Sequence, residues 1–406
     1  MSRIDELIQQ LCPDGVEYKP LGDIMQIRRG ASPRPIQEYI TKQDDGIPWI
    51  KIGDVNPRSK FIVKTDQKIT VSGAKKSCYL KKGDFILSNS MSFGRPYILA
   101  IDGCIHDGWI AMSNFERSFN SDFLFYLLRT QMIQKFWRQK ASSGTVQNLN
   151  SDIVRDTSVP VPPLPVQEEI VRILDKFTAL EAELEAELEA RRKQYEFYRD
   201  QLLTFGDEVE WRPLGEIGDF TYGYTAKAQN QGDVRFIRIT DIGNNGCLNK
   251  DDVKYITLSD ESKKYLLKVG DLLVARTGAT FGKTLIITSS GKYVYASFLI
   301  KITLDSNLIG NKFYWHFSKS KFYWKQALKL VSASSQPQFN TGALKKILVP
   351  VPPLTEQERI VAILDKFDAL VNDISSGLPA ELEMRRKQYE YYRDRLLTFK
   401  PLAKEA

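Results

Sequence analysis

Residues 159–180 read VPVPPLPVQEEIVRILDKFTAL, and residues 349–370 read VPVPPLTEQERIVAILDKFDAL, nearly the same text 190 positions later. Each copy opens on prolines that stiffen an extended approach and then falls into an apolar rhythm of threes, fours and sevens. The first stripe is Val166, Ile170, Ile173, Phe177, Leu180, Leu184, Leu188, Tyr195, Tyr198 and Leu202. The second is Ile360, Ile363, Phe367, Leu370, Ile374, Leu378, Leu382, Tyr389, Tyr392 and Leu396. One continuous stripe per helix is a coiled-coil seam, and two matching seams favour an antiparallel helix pair over two unrelated core helices.

Outward from these stretches the duplication continues. RRKQYEFYRDQLLTF (191–205) returns as RRKQYEYYRDRLLTF (385–399), an offset of 194, so the second copy carries four extra residues, about one helical turn. Gly377-Leu378-Pro379 within that copy predicts a kink or an interruption. Upstream, VEYKPLGDI (16–24) matches VEWRPLGEI (209–217), and GDFILSNSMSFG (83–94) echoes GDLLVARTGATFG (270–282). The order is variable block, repeated helix, variable block, repeated helix. A period near 190 is too long for a solenoid repeat, so the chain reads as a duplicated domain-plus-helix unit. Asp5–Glu17 resembles the helix-to-domain junction Asp200–Glu210, as a circularly permuted duplication would leave it.

Within the variable blocks, short runs rich in Ile, Val, Phe and Tyr alternate with turn residues, which predicts mostly antiparallel β-domains. DFLFYLLRTQMIQKFW (122–137) and NKFYWHFSKSKFYWKQAL (311–328) each read as one amphipathic helix late in the block. The fold class expected is α+β: two mostly-β domains separated and joined by two long helices, with an internal pseudo-two-fold.

Composition fits an ordinary globular chain of 406 residues, 42% hydrophobic and 26% charged. No apolar run approaches the 18 residues of a membrane span, and the start MSRIDELIQQLCPDG has no apolar core of a secretory signal. Cys12, Cys78, Cys104 and Cys247 lie far apart, so neither a disulfide framework nor a zinc site is expected, and a reducing cytoplasm fits. The net charge is +7. The helical stretches 165–204 and 355–400 carry −4 and −1, whereas 1–164 and 205–354 carry +5 and +7. All the positive excess therefore sits in the variable blocks, the electrostatic footprint of a nucleic-acid binder. From Ser306 through Thr355 there is no acid, and seven lysines interleave with aromatic residues. The rings there read more readily as core, with the lysines on a solvated face.

Catalytic chemistry finds little purchase. Only His106 and His316 exist, and His106 beside Asp107 reads as a structural pair. Gly278-Ala-Thr-Phe-Gly282-Lys283-Thr284 has three residues between its glycines where a phosphate-wrapping P-loop needs four, so a glycine-rich turn is expected. Pro13-Asp14 followed by Glu17-Tyr18-Lys19 superficially suggests a metal-dependent nuclease, but the second copy reads Glu210-Trp211-Arg212 with no preceding Pro-Asp. Both Pro-Pro pairs are flanked by valine and leucine, unlike the tetrad of amino-methyltransferases.

The repeated PPL-x-x-Q-E-x-I-V-x-I-L-D block and RRKQYE(F/Y)YRD(Q/R)LLTF, each occurring twice, resemble the specificity subunit of type I restriction–modification enzymes across the whole chain. That resemblance implies a non-catalytic DNA-reading subunit divided as 1–164 (N-terminal helix plus first target-recognition domain), 165–205 (first helical spacer), 206–354 (second recognition domain) and 355–406 (second spacer). It implies double-stranded DNA, two modification (methyltransferase) subunits and two restriction (translocase/endonuclease) subunits as partners. No cofactor is expected in this chain; S-adenosylmethionine, ATP and Mg would belong to the partners, and no catalytic or metal residue carries over. A helix of about 38 residues spans ~57 Å, about 17 base pairs, so two unlike domains could read two unlike half-sites across an unread gap. The readers expected are Arg, Lys, Asn and Gln on loops: Arg28, Arg29, Arg34, Asn89, Arg95, Gln147 and Asn148 in the first domain, and Tyr224, Lys227, Arg276, Lys283, Gln336 and Gln338 in the second. The rival readings are a pure scaffold, which the basic excess disfavours, an autonomous enzyme, which lacks a motif, and a stand-alone bipartite repressor.

Overall fold

The computed structural model describes residues 2–56, 59–90, 92–141, 148–243, 245–249, 251–331, 338–373 and 376–403. The chain divides into two compact units, Met1–Ala182 with Glu383–Ala406, and Glu183–Leu382. The domain-plus-helix repeat is therefore cut so that each unit holds one variable block and helical segments from both repeats. The helix Leu164–Leu202 is continuous for 39 residues and contributes its first half to one unit and its second half to the other.

The repeated segments at the two ends of each block pair with each other. Tyr18–Pro20 runs antiparallel to Ser158–Pro160, and Trp211–Pro213 runs antiparallel to Leu348–Pro350. Val161 N–H donates to Glu17 O and Val351 N–H to Glu210 O, each at 2.9 Å. Two-stranded ribbons tolerate these prolines because each strand has an edge that needs no donor. VE(Y/W)(K/R)PL and VPVPPL are thus two halves of one clasp that closes each domain at its neck.

Inside the clasps lie sheets. The first unit has two five-stranded sheets, one ordered Ile40–Thr41, Lys68–Ile69, Ile47–Ile50, Gly103–Ile105, Cys78–Leu80, the other Gln26–Arg29, Trp109–Ser113, Phe85–Ser88, Pro96–Leu99, Phe61–Ile62. The second has a four-stranded sheet, Gly218–Tyr222, Leu299–Leu304, Leu272–Ala275, Thr284–Ile286, and a three-stranded one, Tyr255–Ile256, Val234–Ile237, Tyr293–Tyr295. Most pairs are antiparallel as expected, but Gly103–Ile105 with Ile47–Ile50, Phe61–Ile62 with Pro96–Leu99, and Val234–Ile237 with Tyr293–Tyr295 are parallel.

The late helix of each block is not one helix but two: Ser121–Leu128 and Gln131–Ala141, then Asn311–Phe317 and Lys321–Leu330. The breaks fall at buried Thr130, whose hydroxyl donates to Leu127 O at 2.7 Å, and at buried Ser320, whose hydroxyl caps Tyr323 N–H at 3.3 Å. The first helix of each pair is not amphipathic either. Phe123–Leu128 and Phe313–Phe317 are buried on all sides, so the aromatic residues of the lysine-rich run are core.

The second repeat helix is likewise two, Leu354–Asn372 and Leu378–Leu396. Pro379 sits in the first turn of the second, where a missing N–H costs nothing. A Cβ on Gly377 would lie 2.4 Å from Ala369 O, so only glycine lets the chain turn back that closely. Ile374 of the apolar stripe lies outside the described residues.

In each unit the helix is seated the same way. Gln167, fully buried, accepts from Asn120 N–H at 2.8 Å and donates to Ser118 O and Pro162 O. Gln357 accepts from Gly310 N–H and donates to Leu308 O and Pro352 O with matching distances. The glutamine of PPL-x-x-Q, present in both copies, thus ties helix, neck and domain together. In the first unit Phe177 stacks on Tyr392 at 5.4 Å while Glu181 pairs with Arg386 at 2.6 Å, so the two segments run antiparallel. The second unit repeats the ring pair as Phe367 on Tyr198 at 5.5 Å.

The permuted junction is closed by the end of the chain. Val16 N–H donates to Lys400 O at 2.8 Å and Leu402 N–H to Val16 O at 2.9 Å, where the second unit has continuous chain from Gly206 to Val209. Asp394 accepts from Gln131 N–H as Asp200 does from Lys321 N–H. Asp394 is therefore the counterpart of Asp200, as the match of 191–205 with 385–399 places it, and the likeness of Asp5 to Asp200 does not extend to this bond. Asp5 instead belongs to the capping box that starts the separate helix Arg3–Leu11.

Candidate nucleic-acid interface

Four loops meet at corresponding places in the two domains, and their backbones match bond for bond. The first follows Gln26–Arg29 or Gly218–Tyr222. Gly30 N–H donates to Trp109 O and Gly223 N–H to Leu299 O. A Cβ at these glycines would sit 2.1 Å from His106 O and 2.2 Å from Ala296 O. The backbone can approach the neighbouring loop this closely only through glycine.

Asn89 and Arg276 begin the second loop. Asn89 N–H donates to Gly108 O and Arg276 N–H to Phe298 O, both at 3.1 Å. Their side chains reach the same neighbour: Asn89 Nδ2 donates to Asp107 O at 3.3 Å, and Arg276 Nη1 to Ser297 O at 3.5 Å. The third loop is 106–108 or 296–298. The fourth ends at Leu149 or Phe339, whose N–H groups donate to Asn89 O at 2.8 Å and Arg276 O at 2.7 Å. A hairpin turn after the second loop also matches, with Gly94 (φ +67°) and Gly282 (φ +74°) in the left-handed region.

The expected readers distribute over this frame. Arg29 and Arg34 join Asn89 around Asp107: Arg29 Nε lies 3.4 Å from Asp107 O, and Arg34 lies 3.6 Å from its carboxylate. Ser32 hydroxyl and His106 Nε2 reach Asp107 Oδ1 at 2.8 and 3.0 Å. Partial burial works to raise the Asp107 carboxyl, but Ser32, His106 and Arg34 outweigh it and hold the group below the ordinary range. His106 accepts Gly108 N–H at its Nδ1, so it is the structural member of a loop, as expected. Ser32, Arg34, His106 and Asp107 border a cavity of about 350 Å³ that also takes in Gln37, Trp49 and Gln67. Asn89 is 7% exposed, so reaching a base would require exchanging its bond to Asp107 O.

Arg28 is exposed on the strand next to Arg29 and points to the opposite sheet face. Arg95 and Asn148 are exposed. In the second domain Lys227, four residues after Gly223 as Arg34 is after Gly30, is exposed. Gln338 is exposed and bridges to Thr277 beside Arg276. Tyr224 is tied by backbone to Ser297 at 2.9 Å, but its ring packs on Tyr265 at 5.4 Å in a small satellite core. Lys283 lines a different cavity, about 410 Å³, with Arg192, Tyr195, Arg199, Lys319 and Trp324 of the same unit. Gln147 and Gln336 lie outside the described residues.

Two residues escaped the sequence reading. Tyr222 and Phe298 flank the Arg276 guanidinium at 5.1 and 5.9 Å and are 39% and 53% exposed. Aromatic residues inside β-runs pass for core; the structure puts Tyr222 at the last position of its strand and Phe298 in the turn that precedes Leu299. The glycine-rich segment around Lys283 is a turn between the antiparallel strands Leu272–Ala275 and Thr284–Ile286. A P-loop leads into a helix, so the turn reading holds.

Among the described residues no group of three or more metal-ligating side chains occurs, and no helix is long and apolar enough to cross a membrane. The model of the type I restriction modification DNA specificity domain matches residues 13–190 and again 206–384. A putative type I restriction enzyme specificity subunit of Haemophilus influenzae is 30% identical over 403 residues, covering 95% of this chain and 96% of its own. The Escherichia coli EcoR124I/EcoR124II specificity subunit is 40% identical over 257 residues, 58% of this chain and 60% of its own. A solved chain described under complex assembly and conformational transition of the type I R-M system shares the fold, with a TM-score of 0.64 at 18% identity over 95% of this chain and 98% of that one. The chain belongs to the type I restriction–modification DNA specificity family, with two target-recognition domains.

Proposed function

We propose that this specificity subunit reads a bipartite, asymmetric DNA site, one half-site per recognition domain, and that the catalysis it directs resides in partner subunits in the cytoplasm. The observation that carries this is the four-loop frame, built twice from matching backbone bonds and filled with different side chains. Asn89 corresponds to Arg276, Asp107 to Ser297, and Gly108 to Phe298. A constant frame with unlike contents suits two unlike half-sites, in contrast to the palindrome of a symmetric dimer. The candidate readers Arg28, Arg29, Arg34, Arg95, Asn148, Lys227, Arg276 and Gln338 stand on or beside this frame.

The near-identical helical segments, RRKQYE(F/Y)YRD, expose Phe197 and Tyr391 at corresponding positions, 64% and 59%. A surface written twice with an exposed aromatic ring at the same position suits two copies of one partner, the modification subunit, with two restriction subunits completing the complex. S-adenosylmethionine, ATP and Mg would act in those partners. The division 1–164, 165–205, 206–354 and 355–406 describes the functional segments.

The test is methylation of a randomised duplex library by this chain alone and with its modification subunit. Site-specific methylation only in the mixture is expected. Tight, site-specific binding together with failure to capture any methyltransferase subunit would favour the stand-alone repressor.

A further inference from the structure

We infer that Arg276, held between Tyr222 and Phe298, reads a guanine in the half-site of the second recognition domain. The inference rests on the reading of this chain as a DNA specificity subunit and adds the residue and the base. Three observations support it.

The first is preorganisation. Arg276 is fixed through its own backbone on both sides, by Phe298 O and Phe339 N–H. Its guanidinium lies near two rings, and one terminal nitrogen reaches Ser297 O. Tyr222 is itself anchored, with its hydroxyl 3.0 Å from that of Thr341. An arginine normally surrenders rotamer freedom on binding; here the two rings and the bond to Ser297 O restrict the side chain beforehand.

The second is charge. Among the described residues no carboxylate forms an ion pair with Arg276, so the fork's remaining donors are not committed to an acid. A planar fork with spare donors matches the O6 and N7 acceptors of guanine in the major groove. An isolated phosphate contact would need neither the planarity nor the flanking rings. Phe298 and Tyr222 also exclude water from one side of such a pair, which strengthens its hydrogen bonds.

The third is the contrast with the first domain. The same slot there holds Asn89, bonded to its own loop, with Gly108 in place of Phe298 and Asp107 in place of Ser297. No guanidinium is presented from that backbone position. Arginine readout at this register is therefore particular to the second half-site.

The experiment uses the chain reconstituted with its modification subunit and a randomised duplex library, read by methylation. The wild-type complex should require guanine at one position of one half-site. Arg276→Ala should lower discrimination for that guanine by about 10- to 100-fold and leave the other half-site unchanged. Arg276→Lys keeps the charge but loses the fork, so it should recover rate without recovering discrimination. Phe298→Ala, at a position 53% exposed and outside the hydrophobic cores, should weaken discrimination at the same single position.

A uniform fall in rate with the base preference intact in Arg276→Ala would show a phosphate contact and overturn the inference. So would a second half-site without guanine. A wild-type complex that methylates with no sequence preference would overturn the specificity reading itself, before any variant is made.

Discussion

Where each domain grips its helix, the first copy uses a tyrosine and the second a histidine. Tyr126 hydroxyl donates to Asp175 at 2.5 Å; at the corresponding place, fully buried His316 presents Nε2 to Asp365 at 2.9 Å. Around the histidine lie Tyr195, 3.3 Å from Nδ1, and Lys319 paired to Asp368 at 3.0 Å. Around the tyrosine lies another tyrosine, Tyr389, with ring centroids 6.4 Å apart. Yet the ring pairs Phe177–Tyr392 and Phe367–Tyr198 match to 0.1 Å, and Gln167 and Gln357 make the same three bonds. A buried polar centre has to be satisfied, but it need not keep its chemistry. The frame is held by groups that bond backbone, and everything else is free to diverge, including the reading loops.

The strongest test of that division exchanges residues 210–348 for the matching block of a relative. The cut points lie in the clasps, so the recipient keeps Val349, Pro350 and Gln357, and the incoming block supplies their partners in the neck and at the positions of Leu308 and Gly310. One half-site should change completely and the other should not change at all, by methylation of a duplex library. A change in both would show that the frame is not neutral.

Next in size is the seat itself. Gln167→Ala leaves Asn120 N–H, Ser118 O and Pro162 O without their partner in a buried site, a cost of about 3 kcal/mol. Gln357→Ala should cost the same within ~0.5 kcal/mol, measured by urea unfolding with fragment-specific probes. A much smaller loss in one copy would break the equivalence of the two seats.

A smaller and more specific effect concerns EAELEAELEA (181–190). The continuous helix passes from one unit to the other at Ala182 and Glu183, inside this run of strong helix formers. One extra Glu-Ala-Glu-Leu lengthens the helix by ~6 Å, nearly two base pairs, and shifts the apolar stripe only slightly. Both half-sites should persist, and the preferred gap should grow by one or two base pairs in a methylation assay on duplexes of varied spacing. An unchanged gap preference with assembly intact would show that this helix does not set the spacing.

Much of the frame was legible because it is written twice. The clasp, the glutamine and the ring pairs all lie in repeated text. The reading loops were legible only as turn residues, yet several expected readers fall on corresponding backbone positions: Asn89 with Arg276, Arg95 with Lys283, Asn148 with Gln338. What the sequence hid follows from packing. The helical break at Thr130 and Ser320 depends on hydroxyls that also occur in unbroken helices. Tyr222 and Phe298 sit in strand-like text, where the ends of the strands decide whether a ring is core or surface. The burial of Asn89 is set by Asp107, eighteen residues away and on another strand's loop.

The finest test of the two seats is their response to acid. Burial lowers the proton affinity of His316 below its ordinary value of 6.5, against the pull of the bonded Asp365. The neighbouring Lys319 is also lowered by burial and opposed by Asp368. In the unfolded chain His316 takes up a proton near pH 6.5, while in the folded unit it resists until a lower pH. Below 6.5 the unfolded state therefore binds more protons, and the second unit loses stability as pH falls toward the folded value. The first unit has Tyr126 at this place, which burial and Asp175 hold protonated well above neutrality, so it contributes no such slope. Lowering the pH from 7.5 to 5.5 should reduce the amide protection factors, corrected for the pH dependence of intrinsic exchange, more in residues 311–330 than in 121–141. His316→Gln keeps an N–H toward Asp365 and an acceptor toward Tyr195 without titrating, so it should abolish the difference. An equal loss of protection in both segments, or a difference that survives His316→Gln, would place the acid sensitivity outside the helix seat.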